Sequence, residues 1–261
     1  MQPVLSETFF LSAGDADAEK ELSLQTLASK IIEIATRHAN HLNIGNPQME
    51  DIHAGWVISR LTIEMISSPE LDSYYEISTW IESFNRHFSS RCFQIASNGK
   101  IIGYVRTIWM IIDTVDHKNI GLSHFNLDSQ LISGESVPIS LQGKHPVILT
   151  KDSEQDNHKN ALITTDPVVY HTFQYADLDG YRHVNTVKYI ALILNQFNLD
   201  YYDKNKIVRF ELAFQNEARY GRLCRLLRYD DPQSQSSSFQ LEDNEENRLL
   251  LSARLFFKPR D

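Results

Sequence analysis

YADLDGYRHVNTVKYI, Tyr175 to Ile190, changes character half-way along. Its first half holds Asp177, Asp179 and Gly180, a turn-forming composition. Its second half runs on through ALILNQF with the spacing of an apolar helix. DPVVYHTFQ precedes it, and is rich in the β-branched and aromatic residues of a strand. The segment is therefore a strand-to-helix turn. A second one lies near the start of the chain, where Asp15-Ala-Asp17 leads into Leu24, Leu27, Ile31, Ile34, Ala35, Ala39 and Leu42. That spacing predicts one long amphipathic helix from about Ser23 to Leu42.

Working outward, each helix is followed by strands. After the first come WVISRLTIEM, YYEISTWIESF, FSSRCFQIA and KIIGYVRTIWMIID, with a hairpin-forming Asn98-Gly99 between the last two. After the second come KIVRFELAFQNE, GRLCRLLRYD, SSSFQLED and NRLLLSARLFFKP. Phe210, Leu212 and Phe214 alternate with Arg209, Glu211 and Gln215, which marks a half-buried strand. A strand, a long helix and four more strands, repeated, describe a sheet wrapped around a central helix. The expected fold is α+β, two tandem hot-dog domains at 1–114 and 166–261. The connector of 115–165 contains Thr150 to Asn160, polar throughout, and one short helix is expected near Phe125 to Leu131.

Composition sets the outer bounds. Of the 261 residues, 42% are apolar and 23% charged, an ordinary globular balance. A net charge of −9 argues against nucleic acid. The sign is uneven, since Arg182 to Arg228 holds nine basic residues against four acidic ones. That stretch reads either as a solvated mixed surface or as a docking patch for an acidic partner. Cys92 and Cys224 stand far apart and read as two buried free thiols in a reducing, cytoplasmic setting. The opening MQPVLSETFF lacks the basic and apolar regions of a signal peptide, and no apolar run reaches the roughly 20 residues of a membrane span. His38, His41 and His53 are read as packing or surface residues, so no metal and no cofactor is expected.

The turn at 177–185 concentrates the chemistry: two carboxylates, a histidine and an asparagine at a helix start. Such a place offers backbone N–H groups and a positive dipole end for a developing oxyanion. Asp179 suits a base or nucleophile, and His183 suits holding water. The competing reading is structural, with Asp177 or Asp179 as a helix cap and His183 on the surface of the first turn.

DLDGYRHVNTVKYI also resembles the signature of acyl-ACP thioesterases, whose second hot-dog domain carries D-x-N-x-H-V-N-N-V-K-Y-I. GWVISRLTIEM, PELDSYYEISTW and NGKIIGYVRTIWMIID are similar to that family's first domain in order and spacing, so the resemblance spans about Glu7 to Lys258. In length the chain is nearer the family's bacterial members. The resemblance implies hydrolysis of fatty acyl-ACP, with the catalytic Asp at Asp179, His at His183 and Asn at Asn185. It places the family's Glu at Glu217 in FQNEARYG. Arg182, Lys188, Lys204 and Lys206 become candidates for docking acyl carrier protein.

Two positions depart from the pattern. Tyr181 stands where the family has an Asn, and Ala218 where it has a Cys after the Glu. A phenol cannot present the donor and acceptor pair of an amide. In the first repeat Asp17 matches Asp179, but Glu21 takes the place of His183, so that half is expected to shape an acyl pocket. Alternatives are an acyl-CoA thioesterase, an acyl-binding homologue with weakened catalysis, and a hydratase on the same fold. No membrane partner is expected, and a homodimer is compatible with the sequence.

Overall fold

The computed structural model describes residues 3–50, 53–115, 118–122, 129–150, 161–164 and 166–260. The chain divides into two units, 1–140 and 141–261. In the first, helix α1 (Leu24–His41) buries Leu27, Ala28, Ile31, Ile34, Ala35, His38 and Ala39. These lie three or four residues apart, which is the stripe the sequence predicts. Ser23 caps the helix, its Oγ accepting the Thr26 N–H at 3.1 Å. At the other end Asn43 takes φ 57°, and the Ile44 N–H donates to Ala39 O at 2.9 Å. A short helix, α2 (Asn46–Glu50), follows.

Five strands complete this unit: β1 (Val4–Phe10), β2 (Ala54–Met65), β3 (Tyr74–Phe84), β4 (Ser89–Ser97) and β5 (Lys100–Asp113). They pair antiparallel in the order β1-β3-β4-β5-β2. Asn98 and Gly99 both take positive φ in the hairpin between β4 and β5, as an Asn-Gly turn requires.

The second unit reproduces the plan. After a short parallel pair, β6 (Ile148–Thr150) with β7 (Leu162–Thr164), come β8 (Val169–Thr172), α3 (Thr186–Leu194) and α4 (Leu199–Lys204). Then follow β9 (Asn205–Phe214), β10 (Leu223–Asp231), β11 (Ser236–Asp243) and β12 (Arg248–Pro259). Their order, β8-β10-β11-β12-β9, matches the first unit strand for strand. Both units are hot-dogs.

The second helix differs from expectation. It does not run on to Phe197 but stops at Leu194, and α4 restarts with Asn198 as its cap. The break turns Phe197 into a cluster of rings, with centroids 4.9 Å from Tyr201, 5.1 Å from Phe257 and 5.9 Å from Phe239. The Arg228 guanidinium lies over its face at 4.1 Å. Aromatic and cation–π contacts of this kind repay a lost turn of helix.

Parts of the connector are packed. Leu131 joins a core with Ala39, Leu42, Ile44 and Ile81, while Val137 and Ile139 join Trp80 and Cys92. Glu135 O accepts the Trp80 indole N–H at 2.8 Å. Ser129–Leu131 form a single 3-10 turn; residues 125–128 of the expected helix and 151–160 of the polar run lie outside the described residues.

In the second unit His145 is held between Ser252 and Glu211. Its Nδ1 lies 2.9 Å from Ser252 Oγ and its Nε2 lies 3.2 Å from Glu211 Oε2. The Arg209 Nε–H donates to Glu211 Oε1 at 2.7 Å. Burial alone would raise the Glu211 carboxyl, but the hydrogen bonds from His145 and Arg209 outweigh it and hold the group below its usual range. A carboxylate lowered on folding adds stability in full above its unfolded value of about 4.3 and loses it as pH falls through the folded value. Thermal unfolding of wild type should therefore fall more steeply below about pH 4.3 than that of Glu211→Gln. Parallel slopes for the two proteins would refute the role given to this carboxylate.

Candidate active site

The turn from β8 into α3 is built around one carboxylate oxygen. Asp179 Oδ1 accepts the Tyr181 N–H at 2.9 Å and the His183 N–H at 3.0 Å. The Asp179 N–H donates back to His183 O at 2.8 Å. Closing so tight a loop drives Arg182 to φ 65°, a conformation that costs a non-glycine residue about 1 kcal/mol or more. Asn185 then caps α3, its Oδ1 accepting the Val187 N–H at 3.1 Å.

The first unit contains the same turn nearly atom for atom. Asp17 Oδ1 accepts the Glu19 N–H at 3.1 Å and the Glu21 N–H at 2.8 Å. The Asp17 N–H donates to Glu21 O at 2.8 Å, Lys20 takes φ 60°, and Ser23 caps α1. In both copies one oxygen of the aspartate is thus structural, but it closes the turn rather than capping the helix, since the caps are Asn185 and Ser23. What distinguishes the second copy is the side chain four residues on, His183 in place of Glu21.

His183 faces Glu217 from the loop after β9. His183 Nε2 lies 3.7 Å from Glu217 Oε1, and both side chains are about one-third exposed, at 31% and 36%. The loop corresponds to one in the first unit. The Gln215 and Asn216 N–H groups both donate to Leu250 O, as those of Ile66 and Ser67 donate to Ile102 O. Gly221 (φ 75°) matches Asp72 (φ 58°). In that register Ser68 stands at the Glu217 position, where its Oγ accepts the Leu22 N–H at 2.7 Å. The carboxylate and the imidazole are both peculiar to the second unit.

Beneath them lies Tyr189 of α3, which the sequence reading passed over. It is buried, and its ring centroid sits 5.0 Å from Phe173 and 5.4 Å from Phe214. Its hydroxyl oxygen accepts the Ala218 N–H at 3.1 Å. Burial pushes the phenol well above its ordinary value, and the Glu217 and Asp179 carboxylates add to the shift. A Tyr amid helical Val and Ile is indistinguishable in sequence from core packing; only the partner of its hydroxyl reveals more.

The helix start does not offer the row of open N–H groups expected of it. Those of Asp179, Tyr181, Arg182, His183, Asn185, Val187 and Lys188 are all used within the turn. The side-chain oxygen of Asn185 is likewise engaged as a cap. The basic stretch is also changed by folding. Of its nine cations, six hold carboxylates: Lys188 with Asp177, Arg209 with Glu211, Arg219 with Glu246, Arg222 with Asp243, Arg225 with Glu242 and Arg228 with Asp230. Arg182 and Lys204 remain exposed, and Lys206 is half-buried on β9. Lys188 therefore secures the turn.

Cys92 and Cys224 are free and buried, and burial is the largest cause pushing their thiols up, to about 12 and about 11. Neither is a nucleophile at neutral pH. Among the described residues no three His, Cys, Asp or Glu side chains converge as a metal site would need, and no helix is long and apolar enough to cross a membrane.

Residues 3–121 match the family model of the acyl-ACP thioesterase N-terminal domain, and residues 163–257 match that of the C-terminal domain. The chain belongs to the acyl-ACP thioesterase family. It is 23% identical to an oleoyl-acyl carrier protein thioesterase of Coriandrum sativum over 82% of this chain and 59% of that one. It is 21% identical to a palmitoyl-acyl carrier protein thioesterase of Gossypium hirsutum over 82% and 52%. The chain thus spans a little over half the length of these curated relatives. The crystal structure of an acyl-ACP thioesterase from Bacteroides thetaiotaomicron superposes with a TM-score of 0.85 at 24% identity, covering 98% of both chains. A 12:0-ACP thioesterase from Umbellularia californica gives 0.79 at 18% identity, covering 100% and 99%.

For an acyl-ACP thioesterase fold the duplicated turn makes a direct prediction about stability. Asp17→Ala and Asp179→Ala each remove a double acceptor and should cost about 1 kcal/mol, the usual scale for a lost cap. Asp17→Asn and Asp179→Asn keep an oxygen at that point and should cost much less. Urea midpoints for the four variants test this, and equal losses in Ala and Asn variants would disprove it.

Proposed function

We propose that the protein is a cytoplasmic enzyme that hydrolyses fatty acyl-ACP thioesters, releasing free fatty acid and the carrier protein. The reading is carried by the pairing of His183 with Glu217 at 3.7 Å, beside Asp179 and in one unit only. Family membership supplies the substrate class, since the relatives above are named for acyl-ACP hydrolysis. Two free cysteines agree with a reducing compartment.

In this reading Glu217 takes a proton from water as the water oxygen attacks the thioester carbonyl. Glu217 hands that proton on to His183, which lies 3.7 Å away; as the carbon–sulfur bond breaks, His183 gives it to the departing sulfur, and both side chains return to their starting forms. Asp179 holds the turn through Oδ1 and presents its other oxygen to the reacting end of the substrate. Asn185 keeps the helix start in place. Arg182 and Lys204 are the cations left to meet an acidic carrier. Assembly as a homodimer is part of the same proposal.

Thiol release from acyl-ACP and acyl-CoA of graded chain length is the deciding assay. Turnover on acyl-ACP should exceed that on acyl-CoA; the reverse preference would reassign the carrier, and no turnover on either would refute the hydrolase. Asp179→Asn and His183→Ala should each lower the rate constant by about 10²-fold or more, the scale of acid–base groups. Wild-type rates in both would reduce the motif to a structural turn.

Tyr181 gives a second prediction. Its N–H serves Asp179, while its side chain is 69% exposed rather than turned inward. A phenol so placed contributes less to the reacting centre than the family's Asn. Tyr181→Asn should raise the rate constant with little change in the Michaelis constant, and Tyr181→Phe should leave both unchanged. Loss of activity in the Phe variant without gain in the Asn variant would show that the hydroxyl itself takes part.

A further inference from the structure

We propose that Tyr189 is the positioning residue of the site: by accepting the Ala218 N–H, its hydroxyl holds Glu217 within reach of His183. The inference rests on the hydrolase reading above and adds to it a residue outside the Asp, His and Glu set. The distance itself is ordinary, 3.1 Å from Ala218 N to Tyr189 Oη. Its placement is what matters, because Ala218 directly follows Glu217 and the loop has left β9.

The first unit supplies the comparison. By the register of the two turns, Leu27 of α1 stands where α3 has Tyr189, and both are buried. By the register of the two loops, Pro69 stands where the second unit has Ala218. Leucine has no acceptor and proline has no N–H. The unit that lacks the His and Glu pair therefore lacks both ends of this hydrogen bond as well. A bond needed only to build the hot-dog would serve both units. This one goes with the chemistry.

The rest of the tyrosine explains why it can act as a fixed post. Rings of Phe173 and Phe214 flank it, so the hydroxyl cannot swing. Burial keeps it a neutral phenol, able to accept from Ala218 while still carrying its own hydrogen. A net hydrogen bond contributes about 0.5–1.5 kcal/mol, which converts to roughly 2- to 12-fold in a population of correctly placed Glu217.

Tyr189→Phe retains the ring and deletes the acceptor. The rate constant for acyl-ACP should fall by that factor, about 2- to 12-fold, with the Michaelis constant unchanged. The same substitution made in Glu217→Gln should lower the rate no further, since the residue it positions is already disabled. An unchanged rate in the single variant, or an equal further loss in the double, would overturn the proposal in favour of packing. The ring signals of His183 in NMR provide a reading without turnover. In Tyr189→Phe they should shift in the direction seen for Glu217→Gln, and wild-type positions would refute the role. An inactive wild type that showed this spectral response would refute the proposed reaction while leaving the positioning intact.

Discussion

A carboxylate oxygen that accepts two backbone N–H groups, two and four residues further along the chain, sets the exit of the chain from a strand and its entry into a helix. Everything at the site hangs from that bond pair. With Asp179 Oδ1 holding Tyr181 and His183, Arg182 has to adopt the left-handed region, and His183 is placed just ahead of α3, two residues before its cap Asn185, with its side chain toward the loop after β9. Because Asp17 performs the same task in the first unit, the turn belongs to the fold before it belongs to any reaction. The two units differ in what the turn carries. His183 stands in place of Glu21 and Glu217 in place of Ser68, while the backbone hydrogen bonds of the turn and of the loop are kept.

Much of this was legible in the sequence, and for identifiable reasons. The Leu27, Ile31, Ile34 and Ala35 stripe marks α1 because a helix lying on a sheet must bury one face and cap its start. Asn98-Gly99 fixes its hairpin because both residues tolerate positive φ. The break after Leu194 was not legible, since YIALIL continues the apolar spacing and the reason to stop lies in rings contributed by Phe239 and Phe257, over forty residues further on. Asp179 and His183 stood out as candidates from the chemistry of the turn itself, whereas Glu217 became one only through the resemblance and would otherwise have been read as a strand-end carboxylate. Tyr189 was hidden for a different reason. Its function is defined by a backbone N–H, and a backbone group has no signature in the sequence.

Charge shows where local counting fails. Nine cations between Arg182 and Arg228 look like a basic surface until the chain folds, when Asp230, Glu242, Asp243 and Glu246 of the β10–β12 region come to meet them. Whatever each pair contributes to stability, together they cancel the long-range field that would attract an acidic partner. What remains for the proposed docking is a pair of exposed cations, Arg182 and Lys204, rather than a broad patch.

The two sulfur atoms carry a consequence of their own. Thiolates exchange readily with thioesters, passing an acyl group from one sulfur to another, and only the ionised form attacks. The hydrolysis proposed above would bring the protein into constant contact with such activated acyl groups. Cys92 and Cys224 are buried, with thiols pushed to about 12 and about 11, so at neutral pH hardly any thiolate exists in either. In the proposed reaction neither sulfur would compete with water for the acyl group, and the chain would not accumulate as its own acylated by-product.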